Sequence, residues 1–154
     1  MVLCKSRQTK GDNNMVTALE VQEALRSSYG TENYFKRYPV TCMVYTDGVF
    51  NFCEKCEAHW IVDVVCSHMP AVIENHKETE DTFYMVKLFV KENHESLFQI
   101  TREIYNEEVE QYEEVVVAEQ DLEYTDLPKC EVKMYLELAQ WEPPVFCLLC
   151  PSEH

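Results

Sequence analysis

The sequence predicts an α+β fold: an antiparallel sheet of about five to six strands, with two or three helices packed on one face. Helix-forming stretches lie early in the chain, at residues 15–27 and 58–68. Period-two alternation of apolar and polar residues dominates the second half. Turn chemistry separates the runs, with no linker or internal repeat, and helices followed by strands is the order of an α+β domain. The 154 residues, 46% of them hydrophobic, suffice for one core and are too apolar for intrinsic disorder.

Residues 1–14 are polar, carry Lys5, Arg7 and Lys10, and read as a flexible N-terminal arm before a single domain over 15–154. Residues 15–27 (MVTALEVQEALRS) hold good helix formers, with Val16, Leu19 and either Val21 or Leu25 on one face and Gly30 ending the helix. Thr31 is the expected N-cap of a short turn closed by Pro39. The runs 41–45 (TCMVY) and 49–52 (VFNF) flank Thr46-Asp47-Gly48, which predicts a tight type I′ hairpin. A buried helix is expected over 58–68, with Ala58, Ile61, Val62 and Val65 inward, ending before Pro70.

From there the chain reads as a β meander. Strands are predicted at 83–90 and 97–103 about the turn Lys91-Glu92-Asn93-His94, then at 112–119 and 122–125. Residues 131–138 (EVKMYLEL) alternate cleanly, with Val132, Met134, Leu136 and Leu138 on one face. A short apolar strand, 145–149, stops at Pro151.

Twenty-eight acids against 13 bases give a net charge of −15. Nucleic acid and anionic membranes are disfavoured as partners, because both repel such a surface. A basic protein surface or a metal ion is favoured instead. Ten of the acids fall between Glu103 and Asp126, a stretch without lysine or arginine. Most such runs are solvated edges. The functional alternative is a docking face centred on Glu107, Glu108, Glu110, Glu113 and Glu114, copying the charge spacing of nucleic acid to enter a cationic groove.

Eight cysteines accompany an N-terminus without signal-peptide character and no apolar run long enough to span a membrane. A cytoplasmic location follows, where paired cysteines suggest metal before disulfide. Two C-x-x-C pairs, Cys53/Cys56 and Cys147/Cys150, are the expected ligands of one structural zinc. The first pair is expected where the hairpin passes into a helix, and His59 is the first substitute ligand. Cys66 and His68 compete less well, and Cys4, Cys42 and Cys130 read as packed or free thiols. A closed four-thiolate site leaves no position for water, so it would stabilise and not catalyse.

No nucleophile elbow, phosphate loop, dinucleotide fingerprint or HExxH helix is present. Chance accounts for Cys56/His59 and Cys66/His68 better than a catalytic dyad does. No catalytic residue is assigned, and the chain is not expected to be an enzyme. The alternatives carried are a zinc-dependent hydrolase using His59, and an accessory interaction domain whose acidity serves solubility.

Three places resemble an uncharacterised domain family of phage, plasmid and bacterial genomes. They are Gly30-Thr31-Glu32-Asn33-Tyr34 with Tyr38-Pro39; Tyr45-Thr46-Asp47-Gly48-Val49 with Ala58, Trp60 and Asp63; and Tyr124-Thr125-Asp126-Leu127-Pro128 with Val132-Lys133-Met134-Tyr135 and the terminal Leu148-Leu149-Cys150-Pro151-Ser152-Glu153. The resemblance covers about residues 28–154. It implies small or aliphatic residues at the four paired-cysteine positions, so that zinc would be an addition to a fold that can exist without it. In character the chain is also similar to small acidic phage anti-CRISPR proteins, including a zinc-containing inhibitor of a type II effector nuclease. That similarity implies a host-defence inhibitor in the bacterial cytoplasm that binds the nuclease's positively charged channel and blocks target DNA loading.

Overall fold

The computed structural model describes residues 16–28 and 30–154; the expected N-terminal arm lies outside them. The order is α1 (Ala18–Arg26), β1 (Tyr34–Lys36), β2 (Met43–Thr46), α2 (Asp47–Cys56), α3 (Trp60–Thr79), β3 (Phe83–Val90), β4 (Ser96–Asn106), β5 (Gln111–Leu122), β6 (Cys130–Ala139) and β7 (Val145–Leu149), then a 3₁₀ turn over Pro151–Glu153. The class is α+β. Seven strands form one sheet in the order β1-β2-β7-β6-β3-β4-β5. All neighbours are antiparallel except β2 and β7.

One sheet face carries the core. Tyr84, Val86 and Leu88 of β3 meet Met134 and Leu136 of β6, Phe98 and Ile100 of β4, and Phe146 and Leu148 of β7. Against them pack Val21 and Leu25 of α1, Phe52 of α2, and Ile61, Val62, Val65, Met69 and Val72 of α3. The alternate strand residues, among them Lys87, Lys133, Tyr135 and Cys147, face the other way, as a pleated strand requires.

The predicted strands 83–90 and 145–149 form as expected, and Ala58, Ile61, Val62 and Val65 are all buried. Five expectations change. The meander does not continue past β5, because β6 returns to pair with β3, and residues 123–129 form the connection where a strand was expected at 122–125. In α1, Leu19 is exposed and Val21, Ala24 and Leu25 face inward. The helix begins at a capping box, in which Thr17 Oγ1 accepts from Glu20 N and Glu20 Oε1 from Thr17 N. Helix α3 runs through Pro70 for 20 residues. The proline withholds its N–H from the preceding turn, but Met69 and Val72 continue the buried stripe on both sides of it.

The largest change is at Thr46-Asp47-Gly48, which opens α2 instead of turning a hairpin. Thr46 is an extended N-cap whose hydroxyl accepts from Val49 N at 3.2 Å, the preferred chemistry of a helix start. Thr31 makes no N-cap either; the segment after it enters β1.

Candidate functional site

The acidic run builds a projecting arm. Strand β3 pairs with β4 only over Ser96–Thr101, whereas the β4–β5 pairing continues to Asn106 and Gln111. Five residue pairs, from Arg102–Val115 to Asn106–Gln111, therefore extend past the sheet as a two-stranded hairpin. That is a reach of roughly 15 Å at the rise of an antiparallel strand. The root is fixed by Arg102 paired with Asp81, and by Lys87 Nζ, 2.6 Å from Glu114 Oε1. At the tip, Asn106 accepts from Glu108 N at 2.9 Å and donates to Glu113 Oε1 at 2.8 Å, while Glu110 takes a left-handed conformation.

All five expected docking residues are placed on this arm. Glu107, Glu108 and Glu110 form the exposed loop, with Glu113 and Glu114 on β5. Glu114 is partly neutralised: its hydrogen bond from Lys87 holds its carboxyl below the ordinary value, against a smaller opposing effect of burial. Among the described residues, Glu103, Glu107, Glu108, Glu110 and Glu113 have no ion-pair partner. The arm also holds three of the nine exposed large hydrophobics of the described residues, Tyr105, Val109 and Tyr112, and a fourth, Val116, lies at its root. Tyr105 and Tyr112 meet edge to face at 5.1 Å between ring centres. The arm thus presents exposed aromatic rings beside acids without an ion-pair partner.

At the other side of the sheet the segments 31–34, 46–48 and 150–153 close on one carboxylate. Glu153 accepts from Thr31 Oγ1 at 3.0 Å, Thr46 Oγ1 at 2.6 Å, Gly48 N at 3.2 Å and Cys150 N at 3.0 Å. It lies at the N-terminus of α2, where the helix dipole and free amides favour an anion. A Cβ on Gly48 would overlap that carboxylate, so the glycine serves close approach; its φ is not positive. Ser152 adds a hydrogen bond to Leu25 O at 3.1 Å. The cluster straps the C-terminus to α1, β2 and α2, and its anion-binding capacity is filled by the chain itself.

Two further parts of the quoted segments are also locks. Asp63 takes a two-pronged contact from Arg37, at 2.6 and 2.9 Å. Thr125 N donates to His94 O at 2.9 Å, and the His94 ring contacts Leu127 O at 3.0 Å. This ties the segment 124–128 to the β3–β4 turn.

The four cysteines expected to share zinc are not gathered. All are buried, but Cys147 lies beside Glu137 on the sheet face away from the helices, whereas Cys53, Cys56 and Cys150 belong to the helix-side core. Cys150 follows Cys147 by three positions, an odd spacing that puts extended side chains on opposite faces. The Cys53/Cys56 pair lies in the last turn of α2 and not at a hairpin. Among the described residues no group of three or more His, Cys, Asp or Glu side chains is arranged to hold a metal. His59 is engaged by Glu54 at 2.6 Å and packs on Phe50, while His68 contacts Gln120 at 2.8 Å and stacks on Phe98. Burial pushes the Cys53 thiol up to about 12, with Cys56 adding to it, and pushes Cys147 up to about 12 and Cys150 higher still.

Comparison with known proteins places the chain at this point. Residues 19–154 match DUF6876, a family of unknown function. The chain belongs to this family. No curated protein and no solved structure matches it. DUF6876 membership therefore agrees with an uncharacterised domain family and assigns no activity to any residue. No helix among the described residues is long and apolar enough to cross a membrane.

The sequence missed Glu153 as the centre of a cluster, because Thr31, Thr46 and Gly48 are 122, 107 and 105 residues from it. It also missed the exposed tyrosines, which a strand pattern assigns equally well to a core.

Proposed function

We propose that this DUF6876 protein is an acidic interaction module that inhibits a host nucleic-acid-handling enzyme by occupying its cationic groove. The observation that carries this reading is the arm. Its uncompensated acids and exposed aromatics are concentrated on one hairpin that stands clear of the sheet. The hairpin leads with charge, which steers it toward a basic surface and makes the encounter salt-dependent. Its tyrosines and valines then supply the desolvated contacts that hold a complex. The concrete target is a type II CRISPR effector nuclease, whose positively charged channel normally receives guide and target strands. Filling part of that channel with acid prevents DNA from loading, so inhibition is stoichiometric and needs no catalytic group.

The test is binding of the purified protein to the purified nuclease with its guide, at low and high salt, with DNA loading read in parallel. The expected result is a complex at low salt that blocks loading. Glu107→Lys with Glu108→Lys and Glu110→Lys should weaken it at least tenfold, about 1.4 kcal/mol. No complex at low salt removes this nuclease as the target. A complex indifferent to the triple reversal removes the arm as the docking face.

A further inference from the structure

The second feature of the arm is its open hydrogen-bonding edge. Strand β5 ends the sheet, and its 12 residues have no strand on the side away from β4 among the described residues. The opposite edge, β1, is only three residues long. Natural edges are usually blunted by shortness, lysine, proline or a cover. Strand β5 has none of the first three: its sequence QYEEVVVAEQDL contains neither proline nor a base. A bulge opposite Ile100/Thr101 divides it, leaving residues 111–116 as a regular free edge.

That edge has two chemically different sides. Tyr112 and Val116 lie on the sheet face turned away from the helices, with Tyr105 paired to Tyr112. Glu114 shares this side, but its charge is taken up by Lys87. The other side presents Glu113, which has only a neutral hydrogen-bond partner, Asn106. A second copy of the chain is excluded as the occupant by charge. Two paired β5 strands would each bring four acids and no base to the shared edge, and like charges across a ladder destabilise it.

We propose that β5 takes up an extended basic segment of its partner as an eighth strand of the sheet. Backbone pairing along residues 111–116 supplies affinity without sequence readout. Alternation supplies selectivity: β-branched or aromatic residues of the incoming strand cover Tyr112 and Val116, and its lysines or arginines oppose Glu113. The acids thus repel self-association and select the partner at once. This inference rests on the arm being the docking face.

The probe is a capped synthetic peptide of alternating lysine and valine, roughly eight residues long to match a typical strand. One control replaces valine by glycine at the same charge; the other carries N-methyl groups on every residue, so neither edge of it can donate to a ladder. Calorimetry at low salt measures binding, and hydrogen exchange reads the β5 amides of the intact chain. The expected result is that the lysine–valine peptide binds at least tenfold more tightly than either control and slows exchange along 111–116. Equal binding of all three peptides with unchanged β5 exchange overturns strand addition and leaves electrostatic docking in place. Failure of all three to bind overturns both.

Discussion

Replacing Gly48 by alanine tests whether the Glu153 cluster holds the fold together. In most helix interiors glycine-to-alanine stabilises by about 1 kcal/mol, because alanine loses less backbone entropy. Here the added methyl would occupy the place of the Glu153 carboxylate. Expelling that group removes its hydrogen bonds from Thr31, Thr46, Gly48 and Cys150, and leaves the buried Thr46 hydroxyl without its strongest acceptor. Net hydrogen-bond contributions near 1 kcal/mol, discounted because a freed carboxylate regains water, give a loss of about 2–3 kcal/mol for Glu153→Ala. Gly48→Ala suffers the same loss less its propensity gain, about 1–2 kcal/mol. In the Glu153→Ala background the obstruction is gone, so Gly48→Ala should turn stabilising by about 0.5–1 kcal/mol. Urea unfolding of the four proteins measures the cycle. A Gly48→Ala change with the same sign and size in both backgrounds would refute the close-approach argument.

Two other outcomes are expected. Alkylation by iodoacetamide at pH 8, read by mass spectrometry, should leave Cys53 and Cys147 unmodified in the folded chain. With thiols pushed up to about 12, the thiolate is scarcer than in an ordinary cysteine by about a thousandfold; rapid native labelling of either would contradict their burial. The Lys87–Glu114 pair should give pH-dependent stability. Glu114 is held below its unfolded value, so its contribution is present above the model-peptide value of 4.5 and disappears as pH falls through the lower folded value. Glu114→Gln should therefore cost at most about 1 kcal/mol at pH 7, since the pair is partly exposed, and nothing once both states are protonated. A cost that persists unchanged into strong acid would show that packing and not charge is responsible.

How much was legible depends on the range of the interaction. The alternation in 83–90 and 131–138 and the apolar spacing of 58–65 identified strands and helix inner faces, because burial of one face is written at the period of the element itself. Asp47-Gly48 misled, since the same dipeptide suits a type I′ turn and the first turn of a capped helix. The Thr46 cap and the contact with Glu153 favour the helix, and the second of these spans more than 100 residues. Pro70 misled in the opposite sense, because the buried stripe from Val65 to Val72 outweighs one missing backbone hydrogen bond. The paired cysteines had a plausible metal spacing, but spacing does not say which face of a strand a residue occupies.

The sequence by itself determined the α+β class, the position of most strands, and a segment in which acid is concentrated without lysine or arginine. These follow from local periodicity and summed charge, which need no partner at a distance. The tertiary structure alone decided that Cys147 points away from the other thiols and that the side-chain carboxylate of Glu153 serves as an anion for α2. It also decided that the acids stand on a free edge strand, because β3 ends its pairing with β4 five residue pairs before β4 and β5 end theirs. Strand order is set by which apolar faces bury one another across the whole chain, and no local window of residues contains that information.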